Sequence, residues 1–334
     1  MIRVTAIRVL IVVVPLLVLA GLVSGFVHHQ LAQPVTVDAL FNIEQGSNLV
    51  VVTQRLTTSE VLPINGNLFK AIALATRSAG AIRAGQYQIK RGMTSLDLLA
   101  LFRSGKVKQH KLTFPEGWSL NQWLALMRQA PHLDNLTTSM TRAELSLSLG
   151  IVGDPEGWMF PDTYQYTKGD SDLEILVLAH TKMNKVLEEQ WQQRGILGFI
   201  DSPYQALVLA SMIEKETGFQ PDREKIASVF HNRLIKGMKL QSDPTVIYGL
   251  GDGFNGDLTR QDLKVDTPYN TYTRTELPPT PICSPGRASI RAALTASAHP
   301  FLYFVAKGNG QSQFSISLKE HNEAVNRYQK KQGR

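Results

Sequence analysis

Apolar positions are concentrated in two unlike stretches of the chain. Val9–Val27 carries no charge over 19 residues, which is long enough to cross a bilayer. Ala206–Ile213 is apolar except for Ser211 and lies inside Ser202–Gly218, SPYQALVLASMIEKETG. That segment reads as a helix with both ends marked. Ser202 is an N-cap, Pro203 takes the first helical position, Gln205 completes a capping-box pattern and Gly218 is a stop. A helix apolar on nearly every side is one that protein encloses.

Weaker patterns predict the remaining elements. Val35–Glu44 alternates like a strand, Asn48–Leu56 and Leu68–Arg77 are helical, and Gly85–Lys90 is a returning strand. Ser95 is expected to cap a helix over Leu96–Arg103 that ends at Gly105. These make a small α/β module over 36–107. Lys108–Phe114 predicts a strand, and Ser119 caps Leu120–Arg128. Residues 130–155 are polar and read as the loop-rich part of a connector over 108–154.

From 155 to 330 the chain reads as one helix-rich domain, which makes the fold class α+β. Asp172–Trp191, the central helix and Pro221–Lys236 are its long helices, with Ile196–Ser202 linking the first two. A short helix follows with Asp243 as cap and Pro244 as its first residue, then another over Ser289–Ala296. Phe301–Ala306 and Gln313–Ser317 form a hairpin, and Ser317 with Glu320 opens a terminal helix to about Gln329.

Charge sets the orientation of the apolar run. Arg3 and Arg8 precede it, and the first acidic residue after it is Asp38. This predicts residues 1–8 in the cytoplasm, a retained inner-membrane anchor over 9–27, and the bulk of the chain outside. A cleaved signal peptide is the rival reading, but the run is long for one and no A-x-A site follows. The net charge of +7 becomes +5 beyond the span once Arg3 and Arg8 are set aside. That suits an anionic polymer or surface without identifying one.

Several chemistries are missing. Cys283 stands alone, so no intramolecular disulfide forms. There is no H-E-x-x-H, C-x-x-C, P-loop or G-x-S-x-G. Gly251–Gly256 fits G-x-G-x-x-G formally, yet no strand–helix unit surrounds it and Asp252 and Asp257 would repel a pyrophosphate. No metal, cofactor or nucleic acid is expected.

What remains lies in the last turn of the central helix. Glu216 shares a face with Met212 and Ile213, whereas Glu214 lies over Ala210 and Ser211. A carboxyl among large apolar side chains is desolvated and stays neutral, the state a general acid needs. The plainer reading is a solvated helix end. The aromatics of Glu156–Tyr166, EGWMFPDTYQY, would stack on sugar rings or pack a core corner. TPYNTY and LPPTPICSPG are irregular loops of the kind that line a site. One glutamate followed by such loops fits acid–base attack on a glycosidic bond. Ordinary glycosidases want a second carboxylate, and Asp243 and Asp257 are candidates that spacing alone does not place.

The segments ASMIEKETG, VFHNRL, LQSDPTVIYG, YNTY, LPPTPICSPG and LYFVAKGNGQSQFS, then His321–Asn322, occur in that order. Over about 150–330 they resemble the YceG-like, or MltG-type, endolytic murein transglycosylases. The resemblance implies a LysM-like module after the anchor and Glu216, the second glutamate of E-K-E-T, as the catalytic residue. It also implies cleavage of the β-1,4 bond between N-acetylmuramic acid and N-acetylglucosamine in nascent strands, leaving 1,6-anhydromuramic ends. Such an enzyme would terminate glycan elongation, with peptidoglycan strands as substrate and peptidoglycan synthases as partners. Gln241, Tyr248, Asn270, Tyr272 and Glu156 are candidate cleft contacts. Ser284 stands where the family more often has Asn and is given no role. A muramidase that hydrolyses with water and a non-catalytic glycan-binding scaffold are the alternatives.

Overall fold

The computed structural model describes residues 2–195, 199–295 and 299–329. The first part of the expected 196–202 link and the end of the helix expected to reach Ala296 lie outside them. Contacts divide the chain into two units, Met1–His110 and Lys111–Arg334.

The first unit begins with α1 (Ile2–Leu31), long and apolar enough to cross a membrane. Beyond it, β1 (Ala39–Ile43) pairs antiparallel with β2 (Gly85–Ile89), Phe41 opposite Tyr87. Three helices, α2 (Leu49–Thr58), α3 (Gly66–Ala75) and α4 (Ser95–Ser104), share one core with this ribbon, centred on Leu56, Phe69, Tyr87, Leu98 and Phe102. Thr94, not Ser95, caps α4: its hydroxyl accepts from the Asp97 N–H and the Asp97 carboxylate answers. Ser95 has Leu98 three residues on, which cannot close a capping box, and is buried instead.

β3 (His110–Thr113), which starts at the boundary and runs into the second unit, pairs with β4 (Thr163–Tyr166). They pack with α5 (Leu120–Arg128), α6 (Arg142–Leu149) and the first half of α7 (Asp172–Gln192) around Phe114, Trp123, Leu145, Tyr164 and Ile175. Residues 130–155, expected as loop, thus hold a capped helix, and Leu133, Leu145, Leu149 and Ile151 are core. Tyr164 and Tyr166 bury their rings and donate to the Phe160 and Pro131 carbonyls, so the aromatic stretch serves largely as core.

A second core surrounds α8 (Pro203–Glu216). Every residue from Ala206 to Ile213 is at most 2% exposed. Around it lie the far half of α7, α9 (Gln220–Ile235), the start of α10 (Asp243–Leu250) and α11 (Arg287–Leu294). The hairpin of β5 (Tyr303–Ala306) and β6 (Ser312–Ser315) joins through Phe304 opposite Phe314, and α12 (Leu318–Tyr328) lies on it. Fully burying a Leu, Ile or Met contributes about 1.5–3 kcal/mol, so α8 is a rigid base for whatever its last turn carries.

Candidate active site

α8 stops at Glu216 because Thr217 turns extended (φ −152°, ψ 133°), its hydroxyl accepting the Phe219 N–H at 3.0 Å. Glu216 is left at the end of a buried helix, enclosed on its flanks and opening onto a cavity of about 390 Å³. The cavity is also lined by Arg233, Gln241, Asp243, Tyr272 and His321.

The segment facing Glu216 is held by its backbone. Gln241 takes a left-handed conformation (φ 51°) and donates its N–H to the Thr271 carbonyl at 3.0 Å. The Ser242 N–H donates to Thr271 Oγ1 at 2.9 Å, and the Ser242 hydroxyl to Glu216 Oε1 at 2.5 Å. Ser242, not Asp243, therefore stands at the N-cap of α10, but it makes no side-chain cap bond there. Asp243 is the first helical residue and accepts the Tyr272 hydroxyl at 2.5 Å. Arg233, 6% exposed, donates to the Leu302 and Leu240 carbonyls at 2.7 Å, which fixes its charge beside the cavity.

Electrostatics follow from that enclosure. Burial pushes the Glu216 carboxyl up to about 7, and the Asp243 charge adds to the rise, while the Ser242 hydrogen bond and Arg233 pull the other way. Burial also raises Tyr272, with its bond to Asp243 acting in the same direction. His321 is lowered by burial and then by Arg233, so it is neutral near pH 7. The cavity thus holds a carboxyl that is still about half protonated at neutrality beside an exposed second carboxyl group.

Three of the six expected site residues, Glu216, Gln241 and Tyr272, meet in this cavity. The other three do not line it. Glu156, 1% exposed, accepts the Leu120 N–H at 2.9 Å and the Tyr248 hydroxyl at 3.1 Å, with Arg142 3.5 Å away. This network ties α10 to the start of α5, and each partner's polar group is engaged within it. Asn270 gives its amide hydrogens to the Asp262, Leu263 and Val265 carbonyls and accepts the Tyr272 N–H at 2.8 Å. It shapes the loop that presents Tyr272. Glu214 is also not a solvated helix end: it accepts the Gly286 N–H at 2.9 Å and pairs with Arg223 at 3.5 Å, its side chain 7% exposed.

Ser242 and Arg233 have no individual role in the sequence reading, and His321 enters it only within the His321–Asn322 pair that helps carry the resemblance. Arg233 could have been singled out, as a charged residue on the buried face of an amphipathic helix. Ser242 could not, because its partner lies 26 residues away.

Residues 41–327 match the YceG-like family. The chain is 33% identical over 307 residues to an endolytic murein transglycosylase of Bacillus subtilis (strain 168), covering 86% of this chain and 84% of that one. It is 26% identical over 317 residues to an endolytic murein transglycosylase of Streptococcus pneumoniae serotype 2, covering 85% of this chain and 57% of that longer protein. In structure it is similar to a YceG-like protein of Listeria monocytogenes, with a TM-score of 0.53 and 28% identity over 86% of this chain and 99% of that one.

Proposed function

Because this chain belongs to the YceG-like family, we propose that it is an endolytic murein transglycosylase, held in the inner membrane by α1 with its second unit outside. The bond cut is the β-1,4 link from N-acetylmuramic acid to N-acetylglucosamine within a glycan strand, and the new end is 1,6-anhydromuramic acid. Relatives that carry this activity by name support the reaction. The observation that carries the reading is Glu216, a carboxyl that burial leaves about half protonated at pH 7 and that opens onto a cavity.

The chemistry follows from that one group. Ser242 donates to Oε1, which leaves Oε2 to carry the acid proton. Glu216 gives this proton to the bridging oxygen as the bond to C1 breaks. The carboxylate that forms, stabilised by Ser242 and the Arg233 charge, takes the proton of the muramic C6 hydroxyl. That oxygen closes onto C1. A tethered nucleophile removes roughly 7–11 kcal/mol of barrier relative to a free one, so one residue serves as acid and then base. Asp243 lines the same cavity, and a negative charge there would favour the oxocarbenium character of the reacting sugar.

The β1–α2–α3–β2 order of the first unit supports a LysM-like glycan-binding module. With the anchor, it suits an enzyme that meets new strands beside peptidoglycan synthases and ends their elongation. A hydrolysing muramidase is the second reading, favoured by Asp243 lining the same cavity. The test is digestion of uncrosslinked glycan strands by the full chain and by Glu216→Gln. The wild type should release internal fragments, and the variant should lose about 10² to 10⁴ in rate or more. A variant within tenfold of wild type would remove Glu216 from the mechanism.

A further inference from the structure

The catalytic cavity lies at the C-terminal end of α8. Near the other end of that helix, twelve residues or about 18 Å away, Tyr204 lines a separate groove of about 570 Å³. Gly150–Gly153, Trp158 and α7 residues His180 and Asn184 complete it. The Trp158 and Tyr204 rings are nearly parallel, 17° between planes, with centroids 5.9 Å apart. Tyr204 also donates its hydroxyl to the Pro279 carbonyl at 3.0 Å, which fixes the ring.

The polar rim is equally defined. His180 Nδ1 donates to the Trp158 carbonyl at 3.3 Å, so in the neutral ring Nε2 is the acceptor and takes Asn184 Nδ2 at 3.0 Å. Burial lowers the His180 pKa and keeps that ring neutral. Exposed Asn184 retains its Oδ1 as an acceptor. Val152 at the rim is an apolar side chain 97% exposed. No residue lining the groove carries a charge.

A phosphate or carboxylate would find no counter-ion here. A neutral ring with apolar faces and an amide substituent meets every feature. Its C–H faces suit the aromatic pair, its acetamido N–H suits Asn184 Oδ1, and its methyl suits Ile151 and Val152. We propose that this groove is a non-catalytic subsite for an N-acetylglucosamine residue of the strand, remote from the cut. The proposal rests on the glycan-cleaving reading above. Its consequence is a preference for internal bonds, because a short chain end cannot fill both sites.

The test uses the full chain carrying Glu216→Gln, titrated calorimetrically with chitotetraose, a neutral β-1,4 N-acetylglucosamine oligomer. Cellotetraose, which lacks the acetamido groups, is the comparison. Tyr204→Ala should weaken chitotetraose binding about three- to tenfold. Asn184→Ala, an exposed change that leaves the core alone, should narrow the preference for chitotetraose over cellotetraose. With Glu216 restored, both changes should raise KM for long strands and leave kcat unchanged. Undiminished binding in both variants, or no binding by the parent while the wild type still cleaves strands, would overturn the groove and leave cleavage standing. Binding that the variants weaken, beside a wild type that cuts no glycan, would keep the groove and sink the cleavage reading.

Discussion

Replacing Glu216 by Gln should stabilise the protein at alkaline pH while inactivating it. In the unfolded chain the carboxyl titrates near 4.5, and in the fold near about 7. Between those values the native state binds more protons than the unfolded state, so wild-type stability falls as pH rises through the window. The contribution is complete below about 4.5 and lost above about 7. At 1.36 kcal/mol per pH unit the loss amounts to about 3 kcal/mol. Glutamine keeps the shape and can still accept the Ser242 hydroxyl through Oε1, but it never ionises. Thermal unfolding of the full chain in detergent should therefore show equal midpoints for the two proteins near pH 4. At pH 8 the variant should melt higher by about 6–12 °C, since 1 kcal/mol corresponds to about 2–4 °C for a unit of this size. A midpoint difference independent of pH, or a wild type more stable at pH 8, would refute the desolvation argument.

Two cavity substitutions should move the Glu216 carboxyl in opposite directions. Ser242→Ala removes a bond that lowers its pKa, and Asp243→Asn removes a charge that raises it. The alkaline limb of the pH–kcat profile should move up in the first and down in the second; equal shifts of one sign would count against both assignments. Glu214→Gln leaves Arg223 buried without its ion partner and should cost about 3 kcal/mol or more in urea unfolding. A variant as stable as wild type would show that pair to be unimportant.

The central helix α8 was legible because several signals agree on it. Ser202 and Pro203 mark its start, eight nearly uninterrupted apolar positions make it central, and i−3 and i−4 spacing puts Glu216 over Met212 and Ile213. The hairpin and the Ser317–Glu320 box were legible for similar local reasons. α6 was not, because Leu145, Leu147, Leu149 and Ile151 alternate with a period of two that does not mark a helical face, and the burial of Leu145 and Leu149 but not Leu147 depends on partners such as Trp123 and Ile175. The cleft residues divide in the same way. Tyr272 and Gln241 reach the cavity, whereas Asn270, Tyr248 and Glu156 are the same residue types used to fasten loops. Polar character alone does not separate a ligand contact from a buried brace. Asp–Pro at 243–244 suggested a helix cap, and only the fold shows Ser242 beside Glu216.

The central claim is that Glu216 works with the muramic C6 hydroxyl and not with a water held by Asp243. Both carboxyl groups line one cavity, so geometry admits either outcome and the product end decides. Uncrosslinked glycan strands digested in water enriched in ¹⁸O, and read by mass spectrometry, give that end directly. The account predicts internal cuts whose muramic ends are lighter than reducing ends by one water and carry no label. Reducing N-acetylmuramic ends with ¹⁸O at C1, lost on Asp243→Asn, would contradict it and identify the enzyme as a hydrolase.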